Sequence, residues 1–539
     1  MRIELIGSTT KEEIENRIKK VAAAGKLSRC PGTVFDVLDS CNDYEKNINL
    51  IKRIISMGHK SIIEHDYLVF AISDVTPIVE QTLIGSRLAS FTIKSRREVD
   101  FSKVGYYLPD FSYLSNGSLL REKYCNHMDY LFSEYSKLVE IGIKKEDARF
   151  VLPYSYYSNI IMGIDVRGLE KLIKSLTCGK LSNISEIKEV GLMFKNIAFE
   201  YVPYLNEQIS DLESNSDDVF DFIDELIDDK TYDILDKPKI IEYTKNMDDV
   251  IVESVIMNRT QKNISEVKKI VAGLGLETKR SIIAAVCNSD EQRELEQIDF
   301  SVQIPISLAV LTHLTRHRMH SLLIPDFVPI WDLTKYKVPP AIRNKCLDNY
   351  SKVYSRNLDV FNEFRNCGVR EEDLIYFYLS GNMCNVRTKI NGRSLLWISR
   401  MRCCTKAQWE IRNLIRGIVN DVKSIPLSFN LAVVLPRWIT YRFRLATNII
   451  SLTASYHRLL CGLPGYLILF DPRTFVPQRQ SRFREMPSQS VFCVISMHFT
   501  ATLHIPPTAT VFQLGSINGS FAVKLQHFTT DLPNSLRTL

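Results

Sequence analysis

The sequence predicts an α+β protein made of two tandem copies of one fold. Two observations carry this. In the first half "SIIEHDYLVFAI" leads to "GSRLASFTIKSRR" (85–97), and in the second half "RELEQIDFSVQI" leads to "RHRMHSLLIPDFV" (316–328). Each run passes from an acid-containing, strand-like stretch through an apolar segment. The spacing agrees: 26 residues separate Glu64 from Ser90, and 25 separate Glu296 from Ser321. Farther on, "EDARFVLPYSYYSNIIMGIDVRGLEKLIKSLTC" parallels "EDLIYFYLSGNMCNVRTKINGRSLLWISRMRCC". Self-similarity of this extent marks an internal repeat.

Residues 1–207 are expected to form copy one and 235–430 copy two. Between them, 208–234 contains the acidic run "DLESNSDDVFDFIDELIDDK", a solvated linker or a polar helix face. Near the end of copy two, Ile411, Leu414, Ile415, Ile418 and Val422 fall at helical spacing. Asn391 or Ser394 can cap the helix that begins there. From residue 431 the texture changes: lysine almost vanishes while Arg, Thr, Pro, Phe and His rise. No long amphipathic period survives in 431–539. We expect this atypical tail, a frameshifted reading or a foreign segment, to lie outside the functional fold.

Charge narrows the function classes. The formal net charge is +6, but residues 431–539 alone carry +7, so the preceding body is nearly neutral at −1. That gives no electrostatic case for nucleic-acid binding. The first 20 residues are charged throughout, and the longest apolar stretch, "LLCGLPGYLILF", is too short to span a bilayer. No membrane association is expected. Twelve cysteines are scattered without a C-x-x-C pair, which argues against a zinc site and a disulfide framework and for a reducing cytoplasm. No G-x-G-x-x-G follows a strand, so a Rossmann domain is not supported.

The cluster Arg316, His317, Arg318 ends a largely apolar helix. It is either a basic helix terminus facing the dipole or a holder of something anionic. "KSRRE" in copy one is either a solvated charge run or a phosphate clamp, since Ser95 and Arg97 offer a hydroxyl and a forked donor. Arg402 is either a surface arginine on an amphipathic helix or a buried charge.

The pattern R-H-R-x-x-S-x-N-x-x-S-x-R, preceded by "GHKSIIEH" (58–65) and followed by "NGR" and "RCCTKAQWEIR", resembles the flavin-dependent thymidylate synthases. Neither copy is intact. Copy one keeps Arg87, Ser90, Ser95 and Arg97 but has Gly85, Ser86 and Thr92 at the other positions. Copy two keeps Arg316, His317, Arg318 and Ser321 but has Leu323, Asp326 and Val328. Only the Asn is missing from both. Copy one also keeps Arg149 where copy two has Ile375, and copy two keeps Arg402 where copy one has Leu176.

The resemblance implies a helix-rich fold with a small antiparallel sheet in each copy. It implies that Ser95, Arg97 and Arg149 bind the nucleotide, and that Arg402 contacts the pyrimidine and favours its ionisation. It assigns Arg316, His317, Arg318, Asn391, Arg393, Ser61, Glu64, Arg87 and His59 to the flavin and folate region. The implied reaction is reductive methylation of dUMP to dTMP. Methylenetetrahydrofolate gives the carbon, and FAD reduced by NADPH gives the hydride. The implied assembly is a homodimer forming a pseudo-tetramer. The rival reading is a non-catalytic paralogue that binds nucleotide or flavin or serves as an assembly partner. Complementary losses in the two copies favour one site shared between them.

Overall fold

The computed structural model describes residues 1–8, 14–210, 226, 233–424, 511–517 and 520–526. The chain forms two compact units, Met1–Thr453 and Ala454–Leu539, and both copies lie in the first. The acidic run 211–230 lies outside the described residues, apart from the exposed Leu226. So does most of the tail.

Each copy holds a four-stranded antiparallel sheet. In copy one the strands are β1 (Arg2–Ser8), β2 (Tyr67–Val75), β3 (Ser90–Ile93) and β4 (Ser158–Asp165), in the order β1-β2-β4-β3. In copy two β5 (Lys239–Tyr243), β6 (Asp299–Ser307), β7 (Ser321–Leu323) and β8 (Met383–Asn391) repeat it as β5-β6-β8-β7. The registers match as well: Tyr67 faces Asp165 in one sheet, and Asp299 faces Asn391 in the other. β2 reads "YLVFAISDV", and its alternation turns Leu68, Phe70 and Ile72 inward. Phe70 meets Phe194 of the helix Ser185–Tyr201 edge-to-face at 5.0 Å.

Helices follow the central strands at equivalent places. Asp165 caps Val166–Cys178 by accepting from the Gly168 amide at 2.9 Å, and Asn391 caps Gly392–Arg402 by accepting from the Ser394 amide at 2.8 Å. The apolar period read through "SLLWISRMRCCTKAQWEIRNLI" is not one helix. It breaks after Arg402 and resumes at Trp409–Lys423, where Gln408 accepts from the Glu410 amide at 2.7 Å. The expected face Ile411, Leu414, Ile415, Ile418 and Val422 is buried.

The copies meet across a local two-fold. Tyr154 N donates to Tyr378 O at 2.6 Å, and Ser380 N donates to Leu152 O at 2.9 Å. Under the repeat alignment Leu152 matches Tyr378 and Tyr154 matches Ser380, so these two bonds are images of one another. The long helices Gly117–Glu140 and Leu347–Asn366 join across the same boundary through His127 Nε2 and Asn357 Oδ1 at 2.9 Å. A continuous buried core runs through both copies.

In the second unit Val511–Ile517 (β9) and Ser520–Gln526 (β10) pair antiparallel. The remainder of the expectation for 431–539 lies outside the described residues.

Candidate functional site

The turn after the short helix in each half carries the motif residues in which the two copies differ. In copy two the helix Leu308–Thr315 is wholly buried, and its backbone stops at Arg316. Its start is fixed by the buried carboxylate of Glu410, which accepts from Ser307 N at 2.9 Å and Ser307 Oγ at 2.8 Å. Glu186 does the same for Pro77–Ile84 in copy one, accepting from Thr76 N at 2.9 Å and Thr76 Oγ1 at 2.7 Å. Anions at helix N-termini are favourable. Copy one's next segment, 94–98, leaves β3 irregularly. A buried pair of Arg96 with Glu80 anchors it, and Ser158 Oγ adds a bond to Glu80 at 2.9 Å.

That segment meets the second copy around a cavity of about 110 Å³. Lys94, Ser95, Arg96, Arg97, Glu98 and Arg149 of copy one line it, with Thr312, His313, Arg316 and Arg402 of copy two. Arg97 Nε bonds Glu146 Oε2 at 2.8 Å, and its Nη2 reaches across to Lys406 O at 3.3 Å. Arg149, 3% exposed, donates Nε–H to Glu146 O at 3.1 Å and Nη2–H to His313 Nε2 at 3.4 Å. Arg402 Nε donates to His317 Nε2 at 2.8 Å. Trp409 Nε1 ties the copies together nearby through Asp147 Oδ1 at 2.8 Å.

Among the described residues, Arg149, Arg316 and Arg402 have no carboxylate partner in a salt bridge. Burial, reinforced by Arg96, pulls the Arg149 guanidinium down to about 10. Burial, with Arg316 and Arg97, does the same for Arg402. Arg97 and Arg96 are offset by Glu146 and Glu80, and Glu98 also lines the cavity, so Arg149, Arg316 and Arg402 carry the charge there that no salt bridge among the described residues balances. A larger groove of about 420 Å³, lined by residues such as Lys103, Tyr106 and Asp129, gathers no such set.

The equivalent place on the other side of the two-fold is closed. Ile375 stands for Arg149 and Leu176 for Arg402, and both are fully buried. Phe327 stands for Arg96 and stacks on Trp331 at 5.5 Å. Leu311 stands for Glu80, so the polar anchor became an apolar one.

The expected flavin residues divide. Arg316 is exposed at the cavity lip, and His317 turns to Arg402. Arg318 Nη1 donates to Arg87 O at 3.1 Å, and its guanidinium lies 5.9 Å from the Phe91 ring. Leu88 and Met319, at matching repeat positions, are 81% and 82% exposed. Two arginines and two outward apolar side chains fit the pyrophosphate and ring of a flavin in chemistry. His59, Ser61 and Glu64 are exposed on the 3-10 turn of copy one, where Glu64 pairs with Arg167. Asn391 and Arg393 belong to copy two, where Asn391 is a helix cap and Arg393 pairs with Glu296. Cap and ion pair recur at equivalent places in both copies. Among the described residues no hydrogen bond or ion pair links the first group with the second. Sequence reasoning missed His313 and the Arg96–Glu80 anchor.

Fold and site define a tandem α+β protein with one cationic, inter-copy cavity among the described residues. A family model described as "Thymidylate synthase complementing protein" matches residues 8–204 and 239–426. The chain belongs to that family, with a copy in each matched segment. Relatives named "Flavin-dependent thymidylate synthase" include one from Pyrococcus horikoshii, 28% identical over 195 residues, covering 35% of this chain and 76% of the relative. One from Clostridium tetani is 25% identical over 210 residues, covering 35% and 83%. One from Pyrococcus furiosus is 29% identical over 154 residues, covering 28% of this chain, which spans 60% of that relative's length. A solved structure titled as the UMP/dUMP methylase PolB from Streptomyces cacaoi bound with 5-Br dUMP covers 40% of this chain and 97% of its own, at 21% identity and TM-score 0.34. Among the described residues no helix is long and apolar enough to cross a membrane, and no His, Cys, Asp and Glu group could hold a metal.

Proposed function

We propose that the inter-copy cavity binds the phosphate of dUMP and that the protein carries out, or descends from, its reductive methylation to dTMP. The supporting observation is the convergence of Arg97 and Arg149 with Arg316 and Arg402 from the other copy. Ser95 Oγ accepts from Arg97 N at 3.4 Å, which leaves its O–H to donate to a phosphate oxygen. Arg97 and Arg149 supply fork-shaped donors to the same group. Arg402, which lines the cavity from copy two, would meet the pyrimidine, where a guanidinium stabilises negative charge developing on the ring. Bound FAD, replenished by NADPH, would supply the hydride, and methylenetetrahydrofolate the carbon. Arg316, Arg318 and Arg87 at the lip would hold the flavin.

The domain division is part of the proposal: copies at 1–207 and 235–430, an acidic linker at 208–234, and a tail at 431–539 outside the functional fold. His59, Ser61 and Glu64 are in the opposite copy from Asn391 and Arg393. Homodimer formation, giving a pseudo-tetramer, would let one chain supply each group to a shared flavin and folate site. A cytoplasmic location agrees with the absence of disulfides among the described cysteines.

A second reading has its own support. Arg393 is held by Glu296, and Arg318 is bonded to Arg87 O, so parts of the flavin set already serve the fold. A nucleotide-binding paralogue without turnover would look the same. Calorimetry with dUMP on the purified chain, followed by its visible spectrum after mixing with FAD, separates the readings. Binding of both, with dTMP formed once NADPH and methylenetetrahydrofolate are added, supports the enzyme; binding of either ligand without turnover supports the paralogue; binding of neither ends the proposal.

A further inference from the structure

We propose that His313 and His317 are positioning residues: neutral hydrogen-bond acceptors that aim Arg149 and Arg402 into the cavity without cancelling their charge. The inference rests on the nucleotide reading for its purpose but on geometry for its content. The two histidines are four residues apart, one near the end of the helix Leu308–Thr315 and one just beyond it. His313 Nε2 faces Arg149 Nη2 at 3.4 Å, and His317 Nε2 faces Arg402 Nε at 2.8 Å. A guanidinium has donors only, so each Nε2 must accept and each ring proton must sit on Nδ1. A carboxylate at either place would aim the arginine equally well, but it would neutralise the charge an anionic ligand needs.

The surroundings keep both rings neutral. His313 faces Arg149, Arg316, Arg402 and Arg97, and His317 faces Arg402, His320 and Arg316. No carboxylate forms a salt bridge with either histidine among the described residues. Burial and these cations hold His313 well below the usual imidazole range and His317 down to about 3. The closed side of the two-fold supplies an internal comparison. There Thr82 stands for His313 and Ser86 for His317, and the partner arginines are replaced by Ile375 and Leu176. Imidazoles and arginines are replaced together, the first by short hydroxyl side chains and the second by apolar ones, as expected if each imidazole exists for its arginine. For His317 this places its action in the nucleotide pocket, through Arg402, instead of directly on the flavin.

The test uses the full chain and dUMP. His313→Leu and His317→Leu should each weaken dUMP binding about tenfold, while His313→Gln and His317→Gln, whose amide oxygens can accept, should stay within about threefold of the parent. Melting curves check that each variant is folded. Leu variants that bind like the parent, or Gln variants as weak as Leu, overturn the inference. Histidine-selective ¹⁵N NMR of the nucleotide-free parent gives an independent arm, with the Gln variants assigning the signals. Both rings should remain neutral and Nδ1-protonated through the range in which a free imidazole gains its proton; titration near the ordinary value of about 6.5 overturns the inference. If the parent fails to bind dUMP, the nucleotide reading falls and the NMR arm alone decides this one.

Discussion

Arg97 of the first copy donates from Nη2 to the carbonyl of Lys406 in the second, at 3.3 Å. The guanidinium therefore spans the boundary between the copies at the edge of the cavity, with Nε held by Glu146. A phosphate ligand would find this arginine already oriented, and its cost of ordering would be small.

The anchor beneath the segment 94–98 gives a stability prediction. Glu80→Leu should leave Arg96 buried without its ion partner and destabilise the protein by about 3–5 kcal/mol. The double change Glu80→Leu with Arg96→Phe copies Leu311 and Phe327 of the other side and should recover most of that loss. Denaturant unfolding measures both. A double variant no more stable than the single one would show that the apolar version cannot replace the pair here.

Burial pushes the Glu186 carboxyl up to about 7, against the bonds it accepts from Thr76 and from Tyr376 Oη at 2.9 Å. The folded state holds this proton more tightly than the unfolded chain. Its stabilising contribution is therefore complete below about pH 4.5 and is lost as pH rises toward 7, by about 3 kcal/mol in all. Glu186→Gln should flatten the pH dependence of unfolding free energy across that window. An unchanged slope would place the titration elsewhere.

Arg318→Ala removes the bond to Arg87 O and the contact over Phe91. We expect flavin retention to fall while the fold survives, with a stability loss of about 1 kcal/mol. The visible spectrum after FAD loading and desalting reads the first effect, and a melting curve the second. Unchanged flavin content would leave Arg318 as a tie between copies and favour the non-catalytic reading.

Much of the fold was legible because the repeat spacing and the motif order are set by the strand–helix–turn path that both copies share. The pocket's arginines were legible for the same reason. His313 was not: within "SLAVLTHLT" it reads as one polar residue on a core helix, and only its offset from Thr82 in the repeat could have raised the question. The break at 403–408 was hidden because "RMRCC" continues the apolar period that Gln408 interrupts by capping. The family resemblance places Asn391, Arg393 and Glu64 at the flavin, and the structure gives the same positions a helix cap and an ion pair in both copies. A motif position conveys fold and chemistry together, and only the contacts separate them.

The central claim is that one nucleotide site is built from both copies, and a double-mutant cycle on dUMP affinity tests it most directly. Arg97→Ala in copy one and Arg402→Ala in copy two should each cost roughly 1.5–3 kcal/mol, about ten- to a hundredfold in affinity by calorimetry. Because both touch one ligand, the double variant should depart from additivity. Loss from only one of the two changes would place the site within a single copy, and parent-like affinity in both variants would contradict the composite pocket outright.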